Sequence, residues 1–205
     1  MDPSANYSET WELFILKGNE IAFSRIYFDH YDLLYHYGIK YTSDKYIVED
    51  SIQNVFSYLL KIRKSLRPVN NVRSYLLKSF RNQLFLDLKK QSKLSFPDQM
   101  PEHKSDLSNN IEQDITENET KSELNTAVKK CLSKLSDRQQ EIIYLRYDCD
   151  LSYEEIATML QISVDSCYKS VYRSIKTIRS EIEGAYPKGK SLLLWFVFIF
   201  SKRLP

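Results

Sequence analysis

The chain is poor in the residues that break a backbone: its 205 residues hold four glycines and six prolines. No glycine-rich loop able to cradle a phosphate is present, and neither a collagen-like nor a mucin-like composition is possible. Cysteine is scarce as well. Cys131, Cys149 and Cys167 are odd in number, widely spaced and each set in a helical stretch. That excludes a disulfide framework and a zinc pattern, leaves the thiols a structural or incidental role, and fits a reducing, cytoplasmic compartment. His30 and His36 lie near Asp29 and Asp32, but a six-residue separation turns the two imidazoles to different helical faces, against a metal site. With no nucleophile triad and no metal cluster, the expectation is a protein that is not an enzyme, with no cofactor and no small-molecule substrate. The N-terminus carries Asp2, Glu9 and Glu12 and no apolar core behind positive charges, so it does not read as a secretory signal. Long apolar runs are missing too. Leu192 to Phe200, LLLWFVFIF, is intensely apolar but about half of the roughly 20 residues a spanning helix needs. Packing on its own domain, docking of a partner and a foothold on a membrane surface all remain open for it.

What is present is helical period. Apolar residues make up 42% of the chain and charged residues 27%, an ordinary soluble balance, and no alternating strand pattern persists. An all-α protein of two small helical domains follows, the domains covering residues 1–93 and 124–184, with a flexible acidic linker at 94–123 and a tail at 185–205. The net charge of +2 hides strong segregation. Residues 1–60 carry four Lys/Arg against nine Asp/Glu, residues 61–93 ten against one, residues 94–123 two against eight, and residues 124–205 thirteen against nine. A basic segment between two acidic ones is the electrostatic footprint of a nucleic-acid surface. The acidity of the linker reads as plain solvation, or as a decoy strand that occupies a basic channel until nucleic acid displaces it.

Within the first domain, Glu20 to Tyr41 reads as a helix with an aromatic stripe at Phe23, Tyr27, Tyr31 and Tyr35, whose four-residue spacing points to the core. Ile47 to Arg63 is a second helix, Leu66 to Asn71 a loop around Pro68, and Val72 to Lys90 a third helix. Phe80 and Phe85 could offer stacking platforms, but their helical spacing among leucines favours the core.

Ser152 to Ile178 spells two amphipathic helices joined by a tight connection, a helix-turn-helix. Ile156, Ala157 and Leu160 mark the inner face of the first helix. Ile162 and Val164 occupy the connection, and Cys167, Val171 and Ile175 mark the inner face of the second. The small Ala157 lets the two helices cross closely. In such a motif the second helix enters the DNA major groove. Its outward residues are Asp165, Ser166, Tyr168, Lys169, Tyr172, Arg173 and Lys176, hydrogen-bonding and cationic groups suited to bases and phosphates, with Ser163 just ahead of them. Leu135 to Tyr147 supplies a helix before the motif, capped by Ser136 or Asp137.

The run LSDRQQEIIYLRYDCDLSYEEIATML, within Leu132 to Ile182, resembles the C-terminal promoter-binding domain of bacterial RNA polymerase sigma factors of the extracytoplasmic-function type. Gln161 replaces the glycine usual at the turn, and Asp165, Ser166 and Cys167 stand where Gly-Thr-Val is common. Gln161 costs the turn stability if its φ is positive, while Asp165 is suited to capping the second helix. Glu49-Asp-Ser-Ile-Gln-Asn-Val-Phe56 is similar to the family's E-D-x-x-Q-E-x-F helix, which docks on the clamp helices of the polymerase largest subunit. Asn54 replaces the usual Glu. Arg73 to Lys90 resembles the helix that captures flipped bases of the single-stranded −10 element, with Leu86 where the family usually has Asp and Asp87 just after it.

The resemblance implies a sigma factor that directs promoter-specific transcription initiation. Core RNA polymerase would be bound through Asp50, Gln53, Asn54 and Phe56, and the −10 element through Leu66, Lys78, Arg81, Asn82, Lys89 and Lys90. The −35 element would be read through Ser163, Asp165, Ser166, Tyr168, Lys169, Tyr172, Arg173 and Lys176. Core polymerase, promoter DNA and an anti-sigma factor are the implied partners. The rival readings are a homodimeric helix-turn-helix regulator without sigma activity and a membrane-linked interaction protein working through its apolar tail.

Overall fold

A computed structural model describes residues 3–95 and 130–185; the apolar run Leu192 to Phe200 and nearly all of the expected linker lie outside them. The chain divides into two units, Met1–His103 and Lys104–Pro205, and every described element is an α-helix or a 3-10 turn.

The first unit contains α1 (Pro3–Lys17), α2 (Glu20–Gly38), α3 (Lys45–Ile62), a 3-10 turn at Arg63–Ser65, and α4 (Val72–Ser95). Three of these helices start on a side-chain cap. Asn19 accepts from Ala22 N at 2.9 Å, Asp44 accepts from Tyr46 N at 3.0 Å and Ile47 N at 3.4 Å, and Asn71 accepts from Ser74 N at 3.2 Å. Each satisfies amide donors that have no partner inside the helix. α3 packs along α4, α1 along α2, and α2 against both α3 and α4.

The core between them is large and aromatic: Trp11, Phe14, Leu34, Tyr37, Ile52, Leu76, Phe80 and Leu84 are buried, each worth about 1.5–3 kcal/mol if fully removed from water. The indole of Trp11 meets its one polar need by donating to the Arg67 carbonyl at 3.1 Å. Gly38 permits the close approach of α2, because a Cβ there would lie 2.6 Å from Val48 and 2.9 Å from Phe80. Gly18 takes φ +65° to turn the chain out of α1, and Arg63 sits beneath it, donating to the carbonyls of Phe14 at 3.5 Å and Ile15 at 2.9 Å.

Two expectations about this unit are corrected. The aromatic stripe of α2 borders the core rather than filling it. The buried face is Ala22, Ile26, His30, Leu34 and Tyr37, while Phe23, Tyr27, Tyr31 and Tyr35 are half-buried beside it. Tyr27 packs edge-on to Phe56 at 4.8 Å, and Tyr31 stacks on Tyr35 at 6.0 Å. His30, taken in by the core, donates from Nδ1 to the Ile26 carbonyl at 2.8 Å; burial pushes its pKa below the ordinary histidine value. The other correction concerns α4, which does not end at Lys90 but runs on to Ser95, past the point where apolar periodicity fades.

In the second unit a helix ends at 130–132, followed by α5 (Asp137–Tyr147), α6 (Tyr153–Leu160) and α7 (Val164–Ala185). Ser136 with Gln139 and Ser152 with Glu155 form capping boxes that start α5 and α6. Of the two candidate caps for α5, Ser136 is the one used. Leu135, Ile142, Leu145, Leu151, Ile156, Leu160, Cys167, Val171 and Ile178 make the core. All three cysteines are buried and none forms a disulfide, and burial raises the thiol pKa of Cys131 and Cys167, which keeps them in the unreactive protonated form.

Candidate nucleic-acid interface

The geometry of the second unit is set at Gln161. This residue closes α6 in the left-handed region, φ 55° and ψ 47°, the conformation that the missing glycine would adopt freely. Its own N–H and that of Ile162 both point to the Ala157 carbonyl. Arg138 of α5 holds the same corner, donating to the Leu160 carbonyl and pairing with the buried Glu141 at 3.2 Å.

α7 leaves this corner with its cap in place, but the cap is Ser163. Its Oγ accepts from Ser166 N at 3.1 Å and lies 2.7 Å from Ser166 Oγ. Asp165, expected to cap, instead sits inside the first turn, because the helix already begins at Val164; its carboxylate meets Lys169 Nζ at 2.7 Å. The inner face also differs by one residue from expectation. Cys167, Val171, Ser174 and Ile178 are buried, whereas Ile175 is 37% exposed. Ser174 is tolerated inside because its Oγ donates to the Ser170 carbonyl at 2.8 Å.

All eight residues expected to face DNA here are exposed: Ser163, Asp165, Ser166, Tyr168, Lys169, Tyr172, Arg173 and Lys176. Two further residues stand behind them that sequence reasoning missed. Tyr168 stacks on Tyr153 of α6 with ring centroids 3.8 Å apart and planes inclined by 25°, and the guanidinium of Arg146 of α5 lies 5.0 Å from the centre of the Tyr153 ring. The only hint of this in the sequence is the aromatic pair Tyr153 and Tyr168, fifteen positions apart and so on different helices.

On α4 the expected groups are unequal. Asn82, Lys89 and Lys90 are exposed, while Lys78 and Arg81 are half-buried, as is Leu66 in the loop before the helix. Helical spacing puts Lys78, Arg81, Asn82, Phe85 and Lys89 along one side. The Arg81 guanidinium lies 4.6 Å from the Phe85 ring centre, and that ring packs edge-on to Tyr41. Phe80, by contrast, is fully buried. Lys90 points elsewhere and pairs with Asp87 at 3.3 Å. Asp87 fastens α4 to α3, accepting from Ser51 Oγ at 3.0 Å and from Gln83 at 2.7 Å. Partial burial pushes its pKa up, but these donors and Lys90 outweigh it and hold the carboxyl below the usual range.

On α3, Asp50, Gln53 and Asn54 form an exposed polar patch, and Tyr46, Tyr58 and Leu60 add exposed apolar surface to the same helix. Phe56 is corrected: at 3% exposure and packed on Phe23 and Tyr27, it positions the helix and offers no surface to a partner.

Residues 125–178 match the family model for sigma-70, region 4. Within the C-terminal unit, these residues form a sigma-70 region 4 domain. Among solved structures, the chain is similar to the sigma factor RpoE from Bartonella quintana, solved with the anti-sigma factor NepR. That match has 18% identity and a TM-score of 0.53 and covers 78% of this chain and 96% of that one. It is also similar to CnrH, solved with the cytosolic domain of CnrY, at 17% identity and a TM-score of 0.51, covering 88% and 95%. At these identities the likeness is one of fold, and it extends beyond the region 4 domain. No curated protein matches the chain in sequence. The expected resemblance of Leu132 to Ile182 to a promoter-binding domain of sigma factors is borne out by the region 4 match.

Proposed function

We propose that this chain is a sigma factor that binds core RNA polymerase through α3, opens and reads the −10 element with α4, and reads the −35 element with α7. The observation that carries the reading is the exposed, hydrogen-bonding and cationic face of α7 inside a region 4 domain. Region 4 supplies promoter contact, and the Asp50, Gln53 and Asn54 patch ahead of a basic helix supplies what a stand-alone DNA-binding regulator does not need. The chain contributes specificity, and the polymerase contributes the chemistry.

Opening DNA unstacks bases at a cost of a few kcal/mol each, which stacking, hydrogen bonds and backbone charge must offset. On α4, Asn82 offers an amide to a base edge, and Lys78, Arg81 and Lys89 hold the strand. The half-buried Phe85 presents a ring on the same side. An anti-sigma factor is a further expected partner, as RpoE is solved with one. No helix among the described residues is long and apolar enough to cross a membrane, and the place of action is the cytoplasm, where polymerase is.

Run-off transcription with purified core polymerase on genomic DNA tests the proposal. Promoter-dependent transcripts should appear only when chain and core are both present. Tight binding to a palindromic site without polymerase, and no transcripts with it, would replace this reading with that of a dimeric regulator.

A further inference from the structure

The stack of Arg146, Tyr153 and Tyr168 draws on α5, α6 and α7 and ends on the face of α7 assigned to DNA. Tyr168 is 49% exposed, with one ring face against Tyr153 and its hydroxyl without a hydrogen-bond partner among the described residues. Tyr153 is held from behind by Arg146, whose guanidinium donates to the Leu151 carbonyl at 2.9 Å while its buried Nε makes no hydrogen bond. Such an arrangement fixes one aromatic ring at the fifth residue of α7, where a recognition helix meets base edges. A ring held in place by stacking loses little freedom on contact, unlike the long side chains beside it.

In the major groove the apolar feature that a ring edge can meet is the C5 methyl group of thymine. We propose that Tyr168 is a specificity-determining residue that reads a thymine methyl in the upstream promoter element, with Tyr153 and Arg146 as its positioning residues. This rests on the assignment of α7 to DNA. The adjacent pair Asp165 and Lys169 serves hydrogen-bonding readout, so the two kinds of contact alternate along the first turns of the helix.

The test uses holoenzyme assembled from the full chain and core polymerase, on a promoter identified by run-off transcription. Each thymine of the upstream element is replaced singly by deoxyuridine, which removes only the methyl group. Wild type should lose affinity about fourfold at one position, the worth of one buried methyl group. Tyr168→Ala should bind thymine and deoxyuridine equally there, and Tyr168→Phe should keep the preference. Tyr153→Ala should shrink the preference, and Tyr153→Phe, which retains the stacked ring, should restore it; a merely structural Tyr153 would change thermal stability and leave the preference intact. The proposal is overturned if no position distinguishes the two bases, or if Tyr168→Ala still does. Arg173→Ala serves as the control. If it weakens promoter binding while deoxyuridine is silent, only the role of Tyr168 falls; if it too has no effect, α7 does not face DNA.

Discussion

α4 and α7 are the two helices assigned to DNA, and they hold their charges in opposite ways. α4 lies in the most basic stretch of the chain, yet much of that charge is engaged within the unit. Arg63 caps α1, Arg81 lies over Phe85, and Lys90 pairs with Asp87. α7 carries fewer cations, but Lys169, Arg173 and Lys176 all lie on its exposed side, away from the buried Cys167, Val171, Ser174 and Ile178. Arg173 and Lys176 hold no ion pair among the described residues, and the pair that Lys169 makes with Asp165 is exposed and therefore weak. Net charge in a sequence window is thus a poor measure of the charge available to a partner. The same contrast separates the signature residues: α3 divides its octet between core and surface, while every expected reader on α7 is exposed.

The largest effect expected from this contrast is at Phe56. Phe56→Ala should destabilise the first unit by about 3–5 kcal/mol through loss of packing and a residual cavity, read from the denaturant dependence of the Trp11 indole NMR signal. Asp50→Lys with Gln53→Ala should leave stability within about 0.5 kcal/mol and abolish co-elution with core polymerase. Wild-type stability of Phe56→Ala with lost co-elution would make Phe56 a contact residue after all.

Next comes Arg63. Replacing it by Met removes charge-assisted hydrogen bonds at the end of α1 and should cost about 2–3 kcal/mol of stability, while folded molecules still open promoters as wild type does. Normal melting with defective opening would return Arg63 to the DNA-binding charge and weaken the contrast.

On α7 the same kind of substitution should act the other way. Lys169→Ala is expected to cost about 1–3 kcal/mol in promoter binding and relax one base position, and Lys176→Ala to lower the salt slope by about one. Both variants should melt like wild type. Titration of holoenzyme over a salt series, against the preferred promoter and single-base variants, measures both effects; wild-type affinity and slope in both mutants would remove α7 from the interface.

Legibility followed the same division. The second unit was readable because its signals are local: Ser136 and Ser152 each stand three residues before a Gln or Glu, and the outward residues of α7 fall at simple helical spacing. Where reading failed, a polar group had been satisfied inside. Ser174 displaced Ile175 from the core by bonding its own helix, and His30 did the same on α2, leaving the bulkier tyrosines at the margin. α1 went unread although Trp11, Phe14 and Ile15 have the spacing of a buried helical face; what makes that face core is the packing of α2 and α4 against it, which no local pattern shows. The tyrosine stack and the Asp87 clamp escaped for the same reason, since each joins helices distant in sequence.

The smallest expected effect concerns the corner that aims α7. Gln161 has φ 55° with an exposed side chain, so it bears the strain of a left-handed residue, about 1–2 kcal/mol for an L-amino acid, with little packing in return. Glycine would relieve that strain but bring more freedom to the unfolded chain, which returns part of the gain. Gln161→Gly should therefore stabilise the second unit by about 0.5–1 kcal/mol, and Gln161→Ala, which keeps a Cβ, should change it little. Because the Arg138 bond to the Leu160 carbonyl holds the corner independently, the direction of α7 and the base preference of the holoenzyme should stay as they are. Denaturant titration followed at the amides of Ile156 and Val171 reports the stability, and single-base promoter variants report the preference. A loss of stability in the glycine variant would show that the Gln161 side chain contributes a contact larger than the strain it imposes.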